Sequence, residues 1–139
     1  MIRVVAEQFA WNAHYPGKDG SFGRVDPRLL APENPLGLDT RSPAGRDDIT
    51  TINEIVVPVG RPVILQLSAK DVIHSLGIPA MRIKQDANPG MLVPVWFTPT
   101  MTGEFDVACS QLCGLGHYRM KGILRVLDQE AFSRWLAAQ

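Results

Sequence analysis

The 139-residue sequence has no excess of either charge, no long apolar run and only two cysteines, and each absence excludes a class of protein. Fourteen basic side chains balance fourteen acidic ones, so nothing favours a nucleic acid as partner. No apolar run approaches the roughly 18 residues of a membrane span. The first residues, Met1-Ile2-Arg3-Val4-Val5, lead into charged and polar residues rather than a signal peptide. We therefore expect a soluble chain, whose contact with a membrane would come only through a missing anchor or a partner subunit.

The length predicts a single domain covering residues 1–139, since folding would bury about two-thirds of the unfolded surface. Five Pro and five Gly fall between Pro16 and Asp48, and they predict a long irregular loop over residues 16–48 rather than an interdomain linker. A loop of this length often carries function or contacts.

Short apolar stretches separated by Gly, Pro and Asp predict an all-β sandwich or barrel. Only the tail differs: Asp128 is an N-cap candidate before an acidic first turn, and it predicts one short C-terminal helix over about 128–138, packed by Phe132 and Trp135. The predicted strands cover residues 2–11, Thr50–Val57, Pro62–Ala69, Ser75–Ile78, Gly90–Thr98, Gly103–Ala108 and Gly122–Leu127.

The stretch from Cys109 to Met120 holds both cysteines, with His117 between Cys113 and Met120. Spacings of four, four and three residues let the four side chains converge on one point. Thiolate, imidazole and thioether are ligands suited to copper and poor ligands for magnesium or calcium. The stretch therefore predicts a copper loop.

The loop alone gives an incomplete ligand shell, and His74, at a probable strand end, is the natural additional ligand. For His14 a hydrogen-bonded structural role is the better expectation.

Three other interpretations compete at the loop. A disulfide between Cys109 and Cys113 leaves His117 and Met120 without a role. A tetrahedral zinc site would use both cysteines, His117 and His74, but Met is not a usual zinc ligand. A single blue copper site uses two His, one Cys and a Met, and so leaves one cysteine over. The second cysteine therefore discriminates between these sites.

With these residues, the sequence resembles the dinuclear copper (CuA) domain of subunit II of haem–copper cytochrome oxidases. The loop fits the family pattern Cys-x-x-x-Cys-Gly-x-x-His-x-x-Met, and Asp71-Val72-Ile73-His74-Ser75 fits the segment with the first histidine. Further matches are Lys84-Gln85-Asp86-Ala87-Asn88-Pro89-Gly90 and the aromatic first-strand motif Gln8-Phe9-Ala10-Trp11 with Tyr15-Pro16.

This resemblance implies a cupredoxin-like Greek-key β-barrel that holds two copper ions. Both cysteines would bridge the ions, each histidine would cap one copper, and the thioether and the main-chain carbonyl of residue 111 would be weak ligands. The resemblance also implies electron transfer from a c-type cytochrome or similar donor to the oxidase catalytic subunit, at the periplasmic face of the cytoplasmic membrane. The implied ligands are His74, Cys109, Gln111, Cys113, His117 and Met120.

Several features depart from the family pattern. Position 111 is Gln where Glu is common, and Phe9 stands where many members have the Trp that accepts electrons, with Trp11 two residues on. Phe9 and Trp11 are thus the candidate electron-accepting side chains.

The N-terminal membrane helices of the family are missing, which suggests a truncated chain or a soluble relative. A copper-delivery or sensor protein with the same ligands is the alternative function, and a relative of nitrous oxide reductase is disfavoured because no catalytic domain is present. The family is expected to present a ring of exposed acids to a basic cytochrome, but here the acids are interleaved with bases, and this favours an apolar docking surface. The acids are Asp71, Asp86, Glu104 and Asp106, and the bases are Arg82, Lys84, Arg119 and Lys121.

Overall fold

The computed structural model describes residues 1–139 as two five-stranded sheets with a single α-helix at the C-terminus. The first sheet has the order β3-β2-β1-β5-β8 and the second β4-β10-β9-β6-β7. The predicted all-β fold with a short terminal helix is confirmed. The elements are β1 Ile2–Glu7, β2 Ala10–Tyr15, β3 Ile49–Ile52, β4 Glu54–Pro58, β5 Val63–Ala69, β6 His74–Ile78, β7 Ile83–Ala87, β8 Val93–Phe97, β9 Gly103–Cys109, β10 Lys121–Leu127 and α1 Gln129–Ala137.

The core lies between the two sheets and is filled from alternate positions of their strands. In β5, for example, Val63, Leu65, Leu67 and Ala69 are buried while the residues between them are not. This period of two is what a strand with one apolar face requires. Each buried Leu or Val contributes about 1.5–3 kcal/mol relative to an exposed one. Cys109, Cys113 and Met120 belong to the same core cluster, so the candidate metal loop is built into the packing.

The first predicted strand was too long. Residues 2–11 form most of a hairpin rather than one strand, because the chain turns at Gln8 and Phe9 and β2 runs back antiparallel to β1. β7, over Ile83–Ala87, was not predicted at all, since three of its five residues are charged or amide side chains. β7 pairs with β6 and so borders the strand that begins at His74.

The predicted strand Thr50–Val57 is broken at Asn53, which has a φ of 58°. Asn tolerates this left-handed conformation better than most residues do. The break sends β3 into the first sheet and β4 into the second. The Asn53 side-chain oxygen accepts a hydrogen bond from Trp11 N at 2.8 Å, and its carbonyl accepts one from Ile123 N at 2.9 Å. Asn53 therefore joins the two sheets at one edge.

The helix α1 begins as predicted, with the Asp128 carboxylate accepting a hydrogen bond from Ala131 N at 2.8 Å. Trp135 packs on Tyr15 of β2 with ring centroids 5.3 Å apart, and Phe132 stacks on Trp135. The helix thus covers the end of the barrel where β1 begins. None of the helices combines the length and apolar character that crossing a membrane requires.

Residues 16–48 connect β2 to β3 with only one short 3-10 turn, Pro27–Leu29. Inside the loop, the Asn34 side-chain amide donates to the carbonyls of Leu29 and Leu38, and its oxygen accepts from Leu38 N. His14 is buried and contacts Asp48 at 2.5 Å, which is the structural role expected for it.

Candidate metal centre

The candidate ligands come from two neighbouring strands and the loop between β9 and β10. Cys109 ends β9, and His74 begins β6, which pairs with β9 so that Leu76 lies opposite Cys109. A further main-chain hydrogen bond, from Ser110 N to Ser75 O at 2.8 Å, fixes the start of the loop against β6. The sheet register therefore brings His74 to the loop across 35 residues of sequence.

The two cysteines are free thiols, with their sulfur atoms 3.7 Å apart. A thiolate bond to a first-row metal ion such as zinc is about 2.3 Å long, so one ion can touch two sulfurs that are up to about 4.6 Å apart. The observed separation meets this condition. The pair can therefore bridge metal ions.

One imidazole lies beside each sulfur. His74 Nδ1 is 3.9 Å from Cys109 Sγ, and His117 Nδ1 is 3.5 Å from Cys113 Sγ. His74, Cys109 and Cys113 have ligand atoms that all lie within 4.8 Å of one another, and His117 is not part of that group. At least one distance from the His117 ring nitrogens to this group is therefore longer than 4.8 Å, which does not suit a single tetrahedral ion bound to all four residues.

Two weaker donors complete the set. Met120 Sδ lies 3.7 Å from Cys113 Sγ, and the Gln111 main-chain carbonyl lies 3.0 Å from Cys109 Sγ. The Gln111 residue is exposed, so its side chain points away while its carbonyl faces the sulfurs. The structure thus brings together all six residues predicted as ligands.

Most of the donor side chains are buried, and His117 is partly buried. His74 is 0% exposed, Met120 1% and Cys113 5%. Burial raises the pKa of the Cys113 thiol to about 11, and its contact with Cys109 adds to this effect. A cation that binds the sulfur must displace this proton. Two thiols, two imidazoles and a thioether form a soft donor set that fits copper.

Asp71 orients His74, a role that the sequence interpretation missed. Its Oδ1 lies 2.9 Å from His74 Nε2, so Nε2 carries the proton and Nδ1 faces the sulfurs. Burial raises the pKa of Asp71, but hydrogen bonds from Gln8 N, His74 and Val72 N outweigh it, and the net pKa is lowered. A carboxylate behind a ligating histidine fixes the ring and strengthens it as a ligand. The spacing of three residues between Asp71 and His74 was the available sequence signal.

The β1–β2 turn covers the loop from outside. Gln8 Nε2 donates to the Cys113 carbonyl at 2.7 Å. The Phe9 ring lies against Gly114 and Gly116, where a Cβ on Gly116 would come within 2.3 Å of Phe9 Cδ2. Gly114 and Gly116 therefore leave room for the Phe9 ring, which a larger side chain would displace. The spacing of the ligands in the sequence did not reveal this contact.

The two predicted electron-accepting side chains differ in position. Phe9 is partly exposed at the loop, whereas Trp11 is 1% exposed and lies edge-on to the His74 ring at 6.3 Å. Trp11 therefore cannot touch a docked protein. The surface beside the ligands is apolar, with Leu112 76% and Leu115 97% exposed.

The family model of the periplasmic domain of cytochrome c oxidase subunit II matches residues 1–127. The alternative cytochrome c oxidase subunit 2 of Bradyrhizobium diazoefficiens is 39% identical over 139 residues, which are 99% of this chain and 50% of that protein. The chain thus spans about half the length of this relative.

Two solved structures give the same result. The periplasmic domain of subunit II of cytochrome oxidase (CoxB) of Bradyrhizobium japonicum superposes with a TM-score of 0.72 at 33% identity, over 99% of this chain and 90% of that one. A mixed disulfide between the thioredoxin-like protein TlpAs and subunit II of cytochrome c oxidase superposes with a TM-score of 0.67 at 32% identity, over 99% and 87%. The cupredoxin-like fold is thereby confirmed, and the chain belongs to the family of cytochrome c oxidase subunit II periplasmic domains.

Proposed function

We propose that this chain carries electrons through a dinuclear copper centre, from a c-type cytochrome or similar donor to the oxidase catalytic subunit. One observation supports this above the others: two sulfurs lie 3.7 Å apart, and each has one imidazole beside it. A single blue copper site would leave one of the two sulfurs without a role, and a tetrahedral zinc site would leave Met120 without one.

When bound, a copper pair supplies a one-electron couple whose charge is shared by two ions. The protein contributes rigidity and dryness. Cys109 is fixed in a sheet, His74 is fixed by Asp71, and Met120 is fully enclosed. A dry, rigid shell limits solvent and ligand movement when the charge changes, and this favours fast electron transfer.

The burial of the ligands distinguishes this proposal from copper delivery or sensing, the alternative function. A delivery site must release its metal to a partner and needs accessible ligands. Here His74 and Met120 are at most 1% exposed and the two sulfurs less than 10%. Retention of the metal is therefore favoured over exchange.

The surroundings of the loop support the proposed partners. Leu112, Leu115 and Tyr118 project into solvent beside the ligands and form an apolar docking area for the donor, with Phe9 as the electron-accepting side chain. We place the domain at the periplasmic face of the cytoplasmic membrane, next to the catalytic subunit. By analogy with the TlpAs complex of the relative, a thioredoxin-like reductant would keep Cys109 and Cys113 as thiols before metal binding.

Metal analysis and spectroscopy test the centre. We expect two coppers per chain, a purple colour and an electron-spin spectrum of one unpaired electron shared by two nuclei. Cys113→Ser removes one bridging sulfur and should abolish this spectrum. Met120→Leu removes only a weak ligand, so it should keep two coppers and shift mainly the reduction potential. Met101→Leu, at an exposed methionine, is the matched control.

Three results would contradict parts of the proposal. One copper per chain with an intense blue band would assign a single blue site instead. Loss of both metals in Met120→Leu would show that the ligands are ranked wrongly. Rapid loss of copper to a weak chelator would support delivery rather than electron transfer.

A further inference from the structure

We propose a second metal site, for Ca²⁺, formed by Asp19, Asp47 and Asp48 at the base of the long loop. This site is separate from the copper loop. Asp19 lies in the turn that follows β2, and Asp47 and Asp48 directly precede β3. The three residues thus come from the two ends of the 16–48 excursion.

The spacing of the carboxylates suits one ion. Each residue offers one carboxylate oxygen, and the three oxygens lie within 4.8 Å of one another. Calcium–oxygen distances are about 2.4 Å, so two oxygens on the same ion lie no more than about 4.8 Å apart. The observed arrangement meets this limit without any rearrangement.

Two buried oxygens at the cluster have no partner, and this observation is independent of the acidic composition. Asp47 Oδ2 accepts from Lys18 N at 2.7 Å and from Asp19 N at 3.0 Å, while Asp48 Oδ2 accepts from Gly23 N and contacts His14 Nε2. The Oδ1 atoms of both residues are buried and accept no hydrogen bond. The Asp48 side chain is completely buried.

The charge of the cluster is also uncompensated by lysine or arginine. Of the three acids only Asp48 takes part in an ion pair, and its partner is His14. A buried carboxylate oxygen without a partner is costly. A cation bound by these oxygens would satisfy them and neutralise the charge. Carboxylate oxygens select hard cations, and irregular loop backbone tolerates the variable geometry of Ca²⁺ better than the strict octahedron of Mg²⁺.

A bound ion would join the two ends of the loop. The backbones already approach closely there, since a Cβ on Gly17 would lie 2.3 Å from the Asp47 carbonyl oxygen. Gly17 has a φ of +71°, which suits glycine at this contact. The loop would therefore be held at its base by Ca²⁺ and closed independently of the copper centre.

The test is calorimetric titration of the copper-loaded full chain with CaCl₂, with MgCl₂ as a separate titrant. We expect saturable binding of one Ca²⁺, a rise in Tm and slower proteolysis within 16–48. Asp47→Asn and Asp19→Asn should each weaken Ca²⁺ binding by at least about tenfold, since each removes a charged ligand. Asp19 is exposed, so its substitution should disturb the fold less than that of Asp47. Glu33→Gln removes an exposed acid from the same loop and should leave binding unchanged.

No saturable heat with the wild-type chain would overturn the site. Equal Ca²⁺ affinity in wild type, Asp19→Asn and Asp47→Asn would place the ion elsewhere and also overturn it. Binding of Mg²⁺ as tight as that of Ca²⁺ would refute the assignment to calcium. Copper content and the copper spectrum serve as folding controls, because the Asp variants should leave them unchanged.

Discussion

Substituting Gly116 by Ala tests the contact between the β1–β2 turn and the metal loop. A Cβ at this position would lie 2.3, 2.6 and 2.7 Å from Cδ2, Cε2 and Cγ of Phe9. The backbone of Gly116 has a φ of −92° and a ψ of 10°, which an L-residue can adopt. The penalty must therefore come from the ring and not from backbone strain.

Overpacking of this kind costs about 1–3 kcal/mol in the free energy of unfolding. Because the ring atoms cause the clash, Phe9→Ala should remove it. In that background Gly116→Ala should change stability by no more than about 0.5 kcal/mol, as for independent sites. The double-mutant cycle should thus give a coupling energy close to the whole penalty of Gly116→Ala.

Urea unfolding of the four proteins measures this coupling, and the copper spectrum reports whether the loop moves. Gly60→Ala is the control, because a Cβ at this position would meet no atom within 4 Å. The φ of Gly60 is +76°, so the loss of stability in Gly60→Ala comes from backbone strain alone. That cost should be the same with or without Phe9. An equal penalty for Gly116→Ala in both backgrounds would refute the contact between ring and loop.

Two further predictions follow from the hydrogen bonds of buried groups. Asp71→Asn should lower copper affinity about 10- to 100-fold, because a neutral amide replaces the carboxylate that orients His74. Competition with a copper chelator measures this affinity, and Asp86→Asn, at an exposed position of β7, is the control. Unchanged copper affinity in Asp71→Asn would exclude the orienting role. Tyr15→Phe should destabilise the fold by about 1–3 kcal/mol, because it leaves the buried Val56 N–H and C=O without their partner. Burial raises the pKa of Tyr15, so the neutral phenol stabilises the native state below pH 10 and this contribution is lost as pH rises further. Wild-type unfolding free energy should therefore fall by up to about 1.4 kcal/mol per pH unit above pH 10, and an equal slope in Tyr15→Phe would contradict this.

The sequence predicted what depends on local pattern. The spacing of soft ligands in the loop, the Asp128 N-cap and the strand over Pro62–Ala69 all follow from local residue pattern, and the structure has the loop, cap and strand where they were expected. His74 was predicted as an additional ligand because a single loop gives too few, and the register of β6 with β9 explains how His74 comes close to Cys109.

What the sequence did not reveal depends on neighbours distant in the chain. Asn53 breaks a run of apolar and β-branched residues because Trp11 and Ile123 hydrogen-bond to it, and neither partner is visible in the local pattern. The fit of Phe9 against Gly116 likewise requires two loops to meet. Asp48 next to His14 and Asp19 is a third such case.

The direction of β1 also matters for how the protein can be attached to a surface. Its six residues span roughly 20 Å, with Gln8 at the metal loop and Met1 beside Phe132 and Leu136 at the opposite end. Both chain termini therefore lie on the side away from the copper ligands. Linkage of either terminus to an electrode or a bead would leave the copper loop facing the solution. A linker at the N-terminus would be joined to β1, the middle strand of the first sheet, which is hydrogen-bonded to a strand on each side.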